Sequence, residues 1–340
     1  MCLSLLVRKF LVVLISTCWV IPIYAQIGGN AIFQFANLNT SPRATALGGY
    51  LTALSDNDVN AGIYNPGSIN IDMNNNIVLN YTDYYSDIIY GDFGYCFNIR
   101  ERSFITSLKF IDYGTFLETN EFGQELGTFR AAEYLFSVGS AEFLSDSLFS
   151  IGVNTKFAYS SLYDLSSFGL LLDLGLLYRF PNNNLAATIL LKNMGYQITS
   201  YYENNREDLP FEIIFGLSSK LTHIPFRWHL TFQHLEIPDL GFVNDYVSAS
   251  VDYDSFGYNV LRHIVFGGEF FLHKNVTFLF GYNNRRRFEM IIEDRKALVG
   301  FSCGFSLNIN RFNITYSRTS NHFSRPISSF GISTNLKKID

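Results

Sequence analysis

Beyond residue 75, apolar and polar side chains alternate along most of the chain in segments of roughly ten residues. The segment 299–309 is a clear example, because Phe301 and Phe305 alternate there with the small or polar residues Ser302 and Gly304. Successive side chains of a strand point to opposite faces of a sheet. The alternation therefore predicts β-strands that have one apolar face and one polar face.

Fourteen segments carry this pattern, and we predict one strand for each of them. The predicted strands are 75–84, 87–99, 102–113, 129–143, 148–160, 167–181, 184–194, 210–221, 225–236, 261–273, 275–283, 296–309, 311–319 and 327–336. Segment 246–255 also alternates, but we assign it to a loop because an even number of strands closes a single-chain barrel. The predicted connections alternate between tight turns and long loops, of which the longest are 114–128, 195–209 and 237–260.

The composition favours a lipid environment for the apolar strand faces. Charged residues make up 16% of the chain, against about 25% in a typical soluble protein, and the chain contains 33 Phe and 21 Tyr. No apolar run beyond residue 25 reaches the roughly 20 residues of a spanning helix, so strands would have to cross the membrane. We therefore predict an all-β, 14-stranded antiparallel transmembrane β-barrel. The alternative is a soluble, exported β-sandwich whose apolar faces turn towards an internal core.

The first residues of the chain suggest that the protein is exported. Residues 1–25 are typical of a signal peptide, because Arg8 and Lys9 precede an apolar stretch that ends at Ala25. We predict cleavage after Ala25; a retained membrane anchor is the alternative, which Pro22 and the short apolar core disfavour. The predicted organisation is a signal peptide at 1–25, an N-terminal hatch or plug at 26–74 and the barrel at 75–340.

Residues 26–74 differ from the rest, since they lack long alternating segments and are rich in Asn, Gly and Ala. Within them, Ser41 is a suitable helix cap, Pro42 suits the first helical position and Gly49 suits the end. Asn65 and Pro66 then mark a turn. We predict one or two helical turns followed by a turn, in a segment that plugs the barrel.

This segment resembles the opening of a group of outer-membrane barrels that includes the PorV and PorQ proteins of the type IX secretion system and the FadL fatty-acid transporters. Within that group it is most similar to the PorQ-like proteins. The residues that carry the resemblance are Ser41, Pro42, Arg43, Ala44, Leu47, Gly48, Gly49, Asn65 and Pro66. The resemblance implies a FadL-like barrel that contains an N-terminal hatch. It also implies that the barrel anchors a PorZ-like surface partner in the type IX attachment complex. The alternative that it implies is a FadL-like transporter of hydrophobic small molecules, in which the hatch shifts and a strand kink opens a side exit.

The residue patterns do not indicate catalysis, a cofactor or a metal. The net charge of −5 opposes nucleic-acid binding, and the six histidines form no His-Glu-x-x-His motif. The run Asp56 to Asn60 begins like a calcium loop, but Ala61 stands where such a loop requires glycine, so we predict a turn. Alternation places Cys96 inside the barrel and Cys303 towards lipid, which opposes a disulfide between them.

Two sets of charged residues carry the remaining predictions. Arg285, Arg286 and Arg287 lie in a predicted outer loop, where guanidinium groups suit the phosphates of lipopolysaccharide; a solvated loop is the alternative. The inward-facing charges are predicted to pair inside the closed interior, and they are Asp92, Lys109, Lys156, Lys192 and Glu212. The predicted partners are outer-membrane lipid, lipopolysaccharide and the PorZ-like surface protein.

Overall fold

Fourteen antiparallel strands form a barrel in which each strand pairs with its neighbours in the sequence. The first and last strands pair with each other and close the barrel. The computed structural model describes residues 31–86, 88–144, 148–181, 184–203, 205–240, 256–289, 298–320 and 326–339. The strands are β1 Asn76–Asp83, β2 Ile89–Ile99, β3 Arg102–Thr119, β4 Glu125–Leu144, β5 Phe149–Leu162, β6 Leu165–Arg179, β7 Leu185–Thr199, β8 Glu212–Lys220, β9 Phe226–Phe232, β10 Ile264–His273, β11 Val276–Asn283, β12 Phe301–Ile309, β13 Phe312–Thr319 and β14 Ile327–Asn335. Each of the fourteen predicted segments overlaps one of these strands, in the same order, so the prediction of the fold is confirmed.

The apolar faces of the strands point outward. Phe301 and Phe305 are 50% and 44% exposed, whereas Ser302 between them is buried against the interior. Comparable exposed Phe, Leu, Ile and Tyr side chains occur on strands all around the closed sheet. A continuous apolar outer face suits acyl chains and would be costly in water, so the sandwich alternative is wrong. The free thiol of Cys96 is buried and that of Cys303 is exposed, which confirms the predicted register.

The described residues also contain four α-helices and several 3₁₀ turns. The helices are α1 Pro42–Ala46, α2 Val59–Tyr64, α3 Phe256–Arg262 and α4 Asn284–Glu289, and the 3₁₀ turns are Gln34–Asn37, Pro66–Ser68, Ile71–Met73 and Leu336–Ile339. Among the described residues, none of the helices has the length and apolar character needed to cross a membrane.

Residues 31–75, hereafter the inner segment, lie inside the barrel and contact strands on several sides of the wall. Hydrogen bonds join Leu38 to β3, Asn65 to β7, Thr52 to β9 and Ala46 to β12. The predicted helix is confirmed, because the Ser41 side chain accepts a hydrogen bond from the Ala44 amide at the start of α1. Residues 26–30 lie outside the described residues, so the 26–74 boundary and the role as a plug stay predictions.

The two ends of the barrel differ in the length of their connections. At the short-turn end, the strands are joined at 100–101, 145–148, 180–184, 221–225, 274–275 and 310–311. At the opposite end, hereafter the long-loop end, the longer connections are 200–211, 233–263 and 284–300. The predicted pattern is confirmed for these connections, but at the long-loop end three pairs of strands have short connections, at 84–88, 120–124 and 163–164. In outer-membrane barrels the short-turn end lies in the periplasm.

The predicted long loop at 114–128 is wrong, because strands occupy most of it. β3 continues to Thr119 and β4 starts at Glu125, with a bulge between Asp112 and Thr115 that re-aligns the two strands. Pairing of Phe116 with Phe129 across the strands stabilises this extension, which the turn-forming residues around it conceal in the sequence. The predicted loop at 195–209 is similarly shortened by the continuation of β7 to Thr199. Segment 246–255 lies outside the described residues.

Candidate functional site inside the barrel

Apolar side chains fill the part of the interior nearest the long-loop end. Phe33 and Phe35 of the inner segment pack in one cluster with Ile111 of β3 and Leu171 of β6, and all four are buried. The cluster, hereafter the apolar compartment, consists of Ile32, Phe33, Phe35, Ala36, Tyr90, Ile111, Leu135, Ala158, Leu171 and Leu209. A water-filled pore would carry polar side chains at these inward positions. The compartment instead offers an apolar environment inside the barrel.

Phe33 has a strained backbone and fills a notch in the wall. Its φ of 57° lies in the left-handed region, which costs a bulky residue of order 1–3 kcal/mol. A methyl group on Gly169 of β6 would lie 2.4 Å from Cε2 of the Phe33 ring, so only glycine leaves room for this ring. Displacement of Phe33 would therefore relieve backbone strain and open a notch the size of an aromatic ring.

An ion-pair cluster holds the inner segment to the wall at a position nearer the short-turn end. Arg43 on α1 donates to Asp56 and Asp58 at 2.8 Å each, and its Nε donates to Glu269 of β10 at 2.7 Å. Arg227 of β9 lies 2.9 Å from Glu269 and 3.1 Å from Asp56. Glu269 is only 1% exposed. Removal of the inner segment would deprive this buried carboxylate of one of its cations, which is costly in an apolar wall.

The pKa shifts of the inner segment show that the cluster is charged at neutral pH. Burial would raise the pKa of Asp56, but the charges of Arg43 and Arg227 outweigh it and hold the pKa below its usual value. Burial would lower the pKa of Arg43, and the carboxylates of Asp56, Glu269 and Asp58 hold it well above its usual range. Arg43 and Asp56 therefore attract each other as full charges.

The same two acids explain the run that begins like a calcium loop. Asp58 caps α2 by accepting a hydrogen bond from the Asn60 amide, and its second oxygen accepts from Arg43. Asp56 is likewise engaged by Arg43 and Arg227. Among the described residues, no group of three or more His, Cys, Asp or Glu side chains is placed to hold a metal ion. The two acids serve to fix the fold of the inner segment.

Two of the predicted inward lysines bind polar groups within the barrel. Lys109 of β3 donates from Nζ to the carbonyl oxygens of Ala36 and Leu38, at 3.0 and 2.8 Å, at the end of the first 3₁₀ turn. Lys156 of β5 pairs with Asp173 of β6, and both side chains are at most 6% exposed. Lys109 thus holds the inner segment against the wall beside the apolar compartment.

The remaining predicted charges are also buried on the inward face. Lys192 of β7 stands opposite Glu212 of β8 in the strand register. Glu212 accepts a hydrogen bond from the Tyr50 hydroxyl at 2.8 Å, and Asp92 accepts one from the Asn80 amide at 2.7 Å. The prediction that these charges face the interior is confirmed. Lys156 pairs with an opposite charge as predicted, whereas Lys109, Asp92 and Glu212 form hydrogen bonds with neutral groups. The sequence alone could not assign these neutral partners.

A polar cavity of about 400 Å³ lies between the inner segment and the wall at the short-turn end. Arg43, Asp58 and Glu269 reach it from one side and Arg311 from the turn between β12 and β13. Its asparagine lining consists of Asn57, Asn76, Asn308, Asn310, Asn313 and Asn335. Such a lining suits water and polar groups, so an apolar molecule would lose free energy by entering it.

The wall is interrupted beside the apolar compartment. β7 pairs with β8 only as far as Lys192 and Glu212. Asn193 and Gly195 have positive φ, and β7 then continues to Thr199 paired with β6. In place of a β8 partner, this part of β7 contacts an irregular chain, where the Glu207 amide donates to Gln197. The upper part of the β7–β8 junction therefore lacks a strand-to-strand ladder.

The residues that carry the sequence resemblance pack against glycines of the wall. Leu47 and Gly48 lie on Gly281, where a methyl group would be 2.3 Å from the Gly48 nitrogen. Pro66 lies on Gly152, where a methyl group would be 2.1 Å from the Pro66 carbonyl carbon. The other members of this set lie along the same contact surface. Ser41 caps α1 and is buried, as is Ala44 within α1, and Pro42 lies against Gly331. Arg43 belongs to the ion-pair cluster, Gly49 lies beside Arg286 and Asn65 is hydrogen bonded to Thr188. Wall glycines thus allow the inner segment to approach the strands closely.

The three consecutive arginines form part of a short helix. Arg285 pairs with Glu289 within α4, and Arg287 packs against Gly300. The Arg286 guanidinium points to the inner segment, since its Nη2 would lie 2.7 Å from a methyl group on Gly49. Burial lowers the pKa of Arg286, although the nearby Tyr50 and Tyr90 act to raise it. Contact of these arginines with lipopolysaccharide stays a prediction.

Sequence reasoning missed the wall partners of the inner segment. Glu269 and Arg227 lie on predicted strands, but nothing in their spacing indicates that Arg43 lies between them. Phe33 and Phe35 lie within the predicted hatch, but no pattern in the sequence singles them out. A charge on an inward position of an otherwise alternating strand is the one signal that could have singled out Glu269.

Comparison with solved structures identifies the fold. No protein-family model matches the sequence, and no curated protein matches it. The toluene transporter TbuX of Ralstonia pickettii has a TM-score of 0.51 at 13% identity, over 89% of this chain and 98% of that one. The toluene transporter TodX of Pseudomonas putida has a TM-score of 0.50 at 13% identity, over 87% and 97% of the two chains. A FadL homologue of Pseudomonas aeruginosa matches with a TM-score of 0.48 at 10% identity, over 87% and 98%.

At these identities the likeness concerns the fold, and the assignment to the type IX secretion system stays a prediction. The neighbours are transporters rather than enzymes. Together with the closed sheet and its apolar outer face, they show that this chain has the outer-membrane β-barrel fold of these two transporters.

Proposed function

We propose that this protein carries hydrophobic small molecules across the outer membrane. The observation that carries the proposal is the apolar compartment, which places Phe33, Phe35 and Leu171 at inward positions where a water-filled pore would have polar side chains. Concave sites lined mainly by apolar and aromatic side chains are typical of binding sites for apolar ligands. The shared fold with two proteins described as toluene transporters supports the same function.

In the proposed route, the molecule enters from the long-loop end and displaces the first part of the inner segment. Phe33 is strained and fills a ring-sized notch over Gly169, so an aromatic or branched apolar group can replace it at low cost. Lys109 holds the carbonyl oxygens of Ala36 and Leu38, and this contact keeps the segment closed in the absence of a ligand. The inner segment thus acts as a plug.

The exit in this proposal is sideways into the bilayer. Straight passage would bring the apolar molecule to the Arg43 ion-pair cluster and the polar cavity, both of which disfavour it. Beside the compartment, the β7–β8 ladder ends at Lys192 and Glu212, and the chain beyond is irregular. Opening this junction breaks few backbone hydrogen bonds, and the molecule passes from one apolar environment to another.

Uptake by living cells tests the proposal. Strains with the gene intact, deleted and restored would be supplied with radiolabelled toluene, a radiolabelled long-chain fatty acid and a radiolabelled disaccharide. We expect deletion to reduce the uptake of at least one apolar compound severalfold, without changing that of the disaccharide. Unchanged uptake of both apolar compounds, or a selective loss of the disaccharide, would contradict the proposal.

A crosslink tests the side exit separately. In a background with Cys96→Ala and Cys303→Ser, cysteines would replace Gln197 and Glu207, which are hydrogen bonded across the junction. We expect a short bis-methanethiosulfonate crosslinker, which joins two thiols through disulfide bonds, to abolish apolar uptake and a reducing agent to restore it. The matched control replaces Asn120 and Gln124, which bond to each other in an exposed turn, and its crosslink should leave uptake unchanged.

A second candidate function rests on the sequence resemblance of Ser41 to Gly49 and of Asn65 and Pro66 to PorQ-like proteins. In this proposal the barrel anchors a PorZ-like surface protein within the type IX attachment complex. Gene deletion would then release surface-attached proteins into the medium while apolar uptake stays normal. Co-purification of the detergent-solubilised barrel with a PorZ-like protein would support this candidate, and retention of all surface proteins after deletion would contradict it.

A further inference from the structure

The β3–β4 hairpin extends beyond its neighbours as a two-stranded ribbon at the long-loop end. β2 ends its pairing with β3 at Ile89 and Asp112, and β5 ends its pairing with β4 at Leu162 and Ala131. Residues 113–130, hereafter the outer ribbon, therefore have no strand neighbour among the described residues other than each other. Residues 102–112 of β3 already have the length of about 9–11 residues that a tilted strand needs to cross the hydrocarbon layer. Seven further residues at about 3.3 Å each extend the ribbon by roughly 20 Å beyond these residues.

The outer ribbon is held in one conformation at its tip and at its base. The Asn120 side-chain oxygen accepts hydrogen bonds from the Phe122 and Gln124 amides at 3.0 and 2.9 Å, which fixes the turn. At the base, the Phe116 and Phe129 rings stack at 5.2 Å, and Phe129 contacts the Tyr163 ring of the adjacent turn. The ribbon therefore presents its remaining side chains in a fixed arrangement.

Large apolar side chains on this ribbon are exposed. Phe122, Leu126 and Leu117 are 87%, 63% and 61% exposed, although they lie beyond the lipid-facing part of the strands. Water contact of three such side chains on a small ordered element is unfavourable unless another molecule covers them. This places an interaction surface at the tip and one edge of the ribbon.

The charge of the ribbon selects among the molecules that could cover it. Glu118, Glu121 and Glu125 form no ion pair within the described part of the chain, although Glu118 accepts a hydrogen bond from the Tyr163 hydroxyl at 2.7 Å. Arg130 is paired with Asp112. The phosphates of lipopolysaccharide are anionic and would be repelled by the three carboxylates. A protein that presents cationic side chains around an apolar depression complements both properties.

We propose that the outer ribbon docks an extracellular protein through Phe122, Leu126 and Leu117, with the three glutamates pairing with Lys or Arg of that protein. The apolar side chains supply the affinity, and the glutamates supply orientation and a salt-dependent association rate. This docking is independent of the transport proposed above, because the ribbon lies outside the apolar compartment. It also rests on the side chains of the ribbon and not on the sequence resemblance that carries the anchoring candidate.

Photocrosslinking in cells tests the proposal on the full-length protein. A photoreactive phenylalanine analogue would replace Phe122, and in a matched control it would replace Phe256 of α3, which is 84% exposed elsewhere at the same end. We expect a discrete protein adduct from position 122 that is absent from position 256. Conversion of Glu118, Glu121 and Glu125 to Gln should reduce the adduct by about tenfold, which corresponds to a combined loss of about 1.4 kcal/mol from three exposed ion pairs.

Each other outcome overturns the proposal. An adduct with lipopolysaccharide, an adduct with a second copy of this chain, or no adduct above that of position 256 would mean that no protein of the proposed chemistry covers the ribbon. A protein adduct that is insensitive to the three Glu→Gln changes and to raised salt would also reject it. Each variant should show the same shift in electrophoretic mobility between heated and unheated samples as the wild type, which would show that its barrel has folded.

Discussion

Arg43 of the inner segment donates from Nε to Oε1 of Glu269 on β10 at 2.7 Å, and Glu269 is almost completely buried. The two residues are 226 positions apart in the chain. This contact joins the inner segment to the wall and separates the apolar compartment from the polar cavity at the short-turn end. Its geometry leads to the first two predictions.

Replacement of Arg43 by Met should destabilise the folded barrel markedly. Glu269 would lose one of its two arginine partners while it remains buried, and breaking a buried ion pair costs about 3–5 kcal/mol. Urea unfolding in detergent micelles would measure the change in the free energy of unfolding. The control is Arg102→Met, since Arg102 and Glu142 form an ion pair in which both side chains are more than half exposed. The control should lose about 1 kcal/mol or less, and equal losses in both variants would contradict the prediction.

Stability should decrease in acid, in part because Asp56 becomes protonated. The folded pKa of Asp56 is lowered, so its stabilising contribution is complete above the unfolded pKa of about 3.9. The contribution is lost as the pH falls from that value through the lower folded pKa. Urea midpoints measured across this range should show a smaller acid dependence for Asp56→Asn than for the wild type. Parallel pH profiles for the two proteins would show that Asp56 does not contribute in this way.

The wall glycines beneath the inner segment should not tolerate even a methyl group. In Gly152→Ala the new atom would meet the Pro66 backbone at 2.1 Å, and such overpacking costs about 1–3 kcal/mol. Gly257→Ala is the matched control, because no atom lies within 4 Å of its new methyl group and the residue lies in α3. Protease sensitivity of the inner segment should rise in the first variant only. A protected inner segment in Gly152→Ala would mean that the wall adjusts instead.

Removal of the Phe33 ring should increase apolar uptake, if the proposed route is correct. Phe33→Ala empties the notch over Gly169 that the transported molecule is proposed to occupy. We expect a severalfold higher initial rate of toluene uptake and an unchanged rate for a disaccharide. Phe256→Ala serves as a control, because its ring is exposed and lies outside the apolar compartment. An unchanged toluene rate in Phe33→Ala would place the route elsewhere.

Trp228 provides a direct test of the lipid-facing register. It is the only tryptophan beyond residue 25, and its neighbour His229 is buried on the inward face of β9. Trp228 also lies near the short-turn end of its strand, where aromatic side chains occupy the membrane interface. Brominated phospholipids should therefore quench its fluorescence, more strongly when the bromines are close to the head groups. Quenching by aqueous acrylamide alone would indicate that β9 has the opposite register.

The sequence was sufficient for the barrel itself because strand periodicity is local. Each strand alternates between lipid and interior, so Phe301 and Ser302 reveal their faces without knowledge of any other strand. The short helix after Ser41 was also predictable, since capping depends on neighbouring residues alone. The loop predicted at 114–128 is wrong because Gly114 falls in a bulge and does not end the strand. Cross-strand pairing of Phe116 and Phe129 carries both strands on to a short turn that contains Asn120 and Gly123.

The sequence by itself therefore determined which residues face outward, how many strands close the sheet and where the first helix of the inner segment begins. Tertiary structure alone decided that Arg43 meets Glu269, that Phe33 fits over Gly169 and that the β7–β8 ladder ends at Lys192. The physical reason is the range of each interaction. Alternation and capping act between residues a few positions apart, whereas ion pairing and packing in the interior join residues that only closure of the barrel brings together.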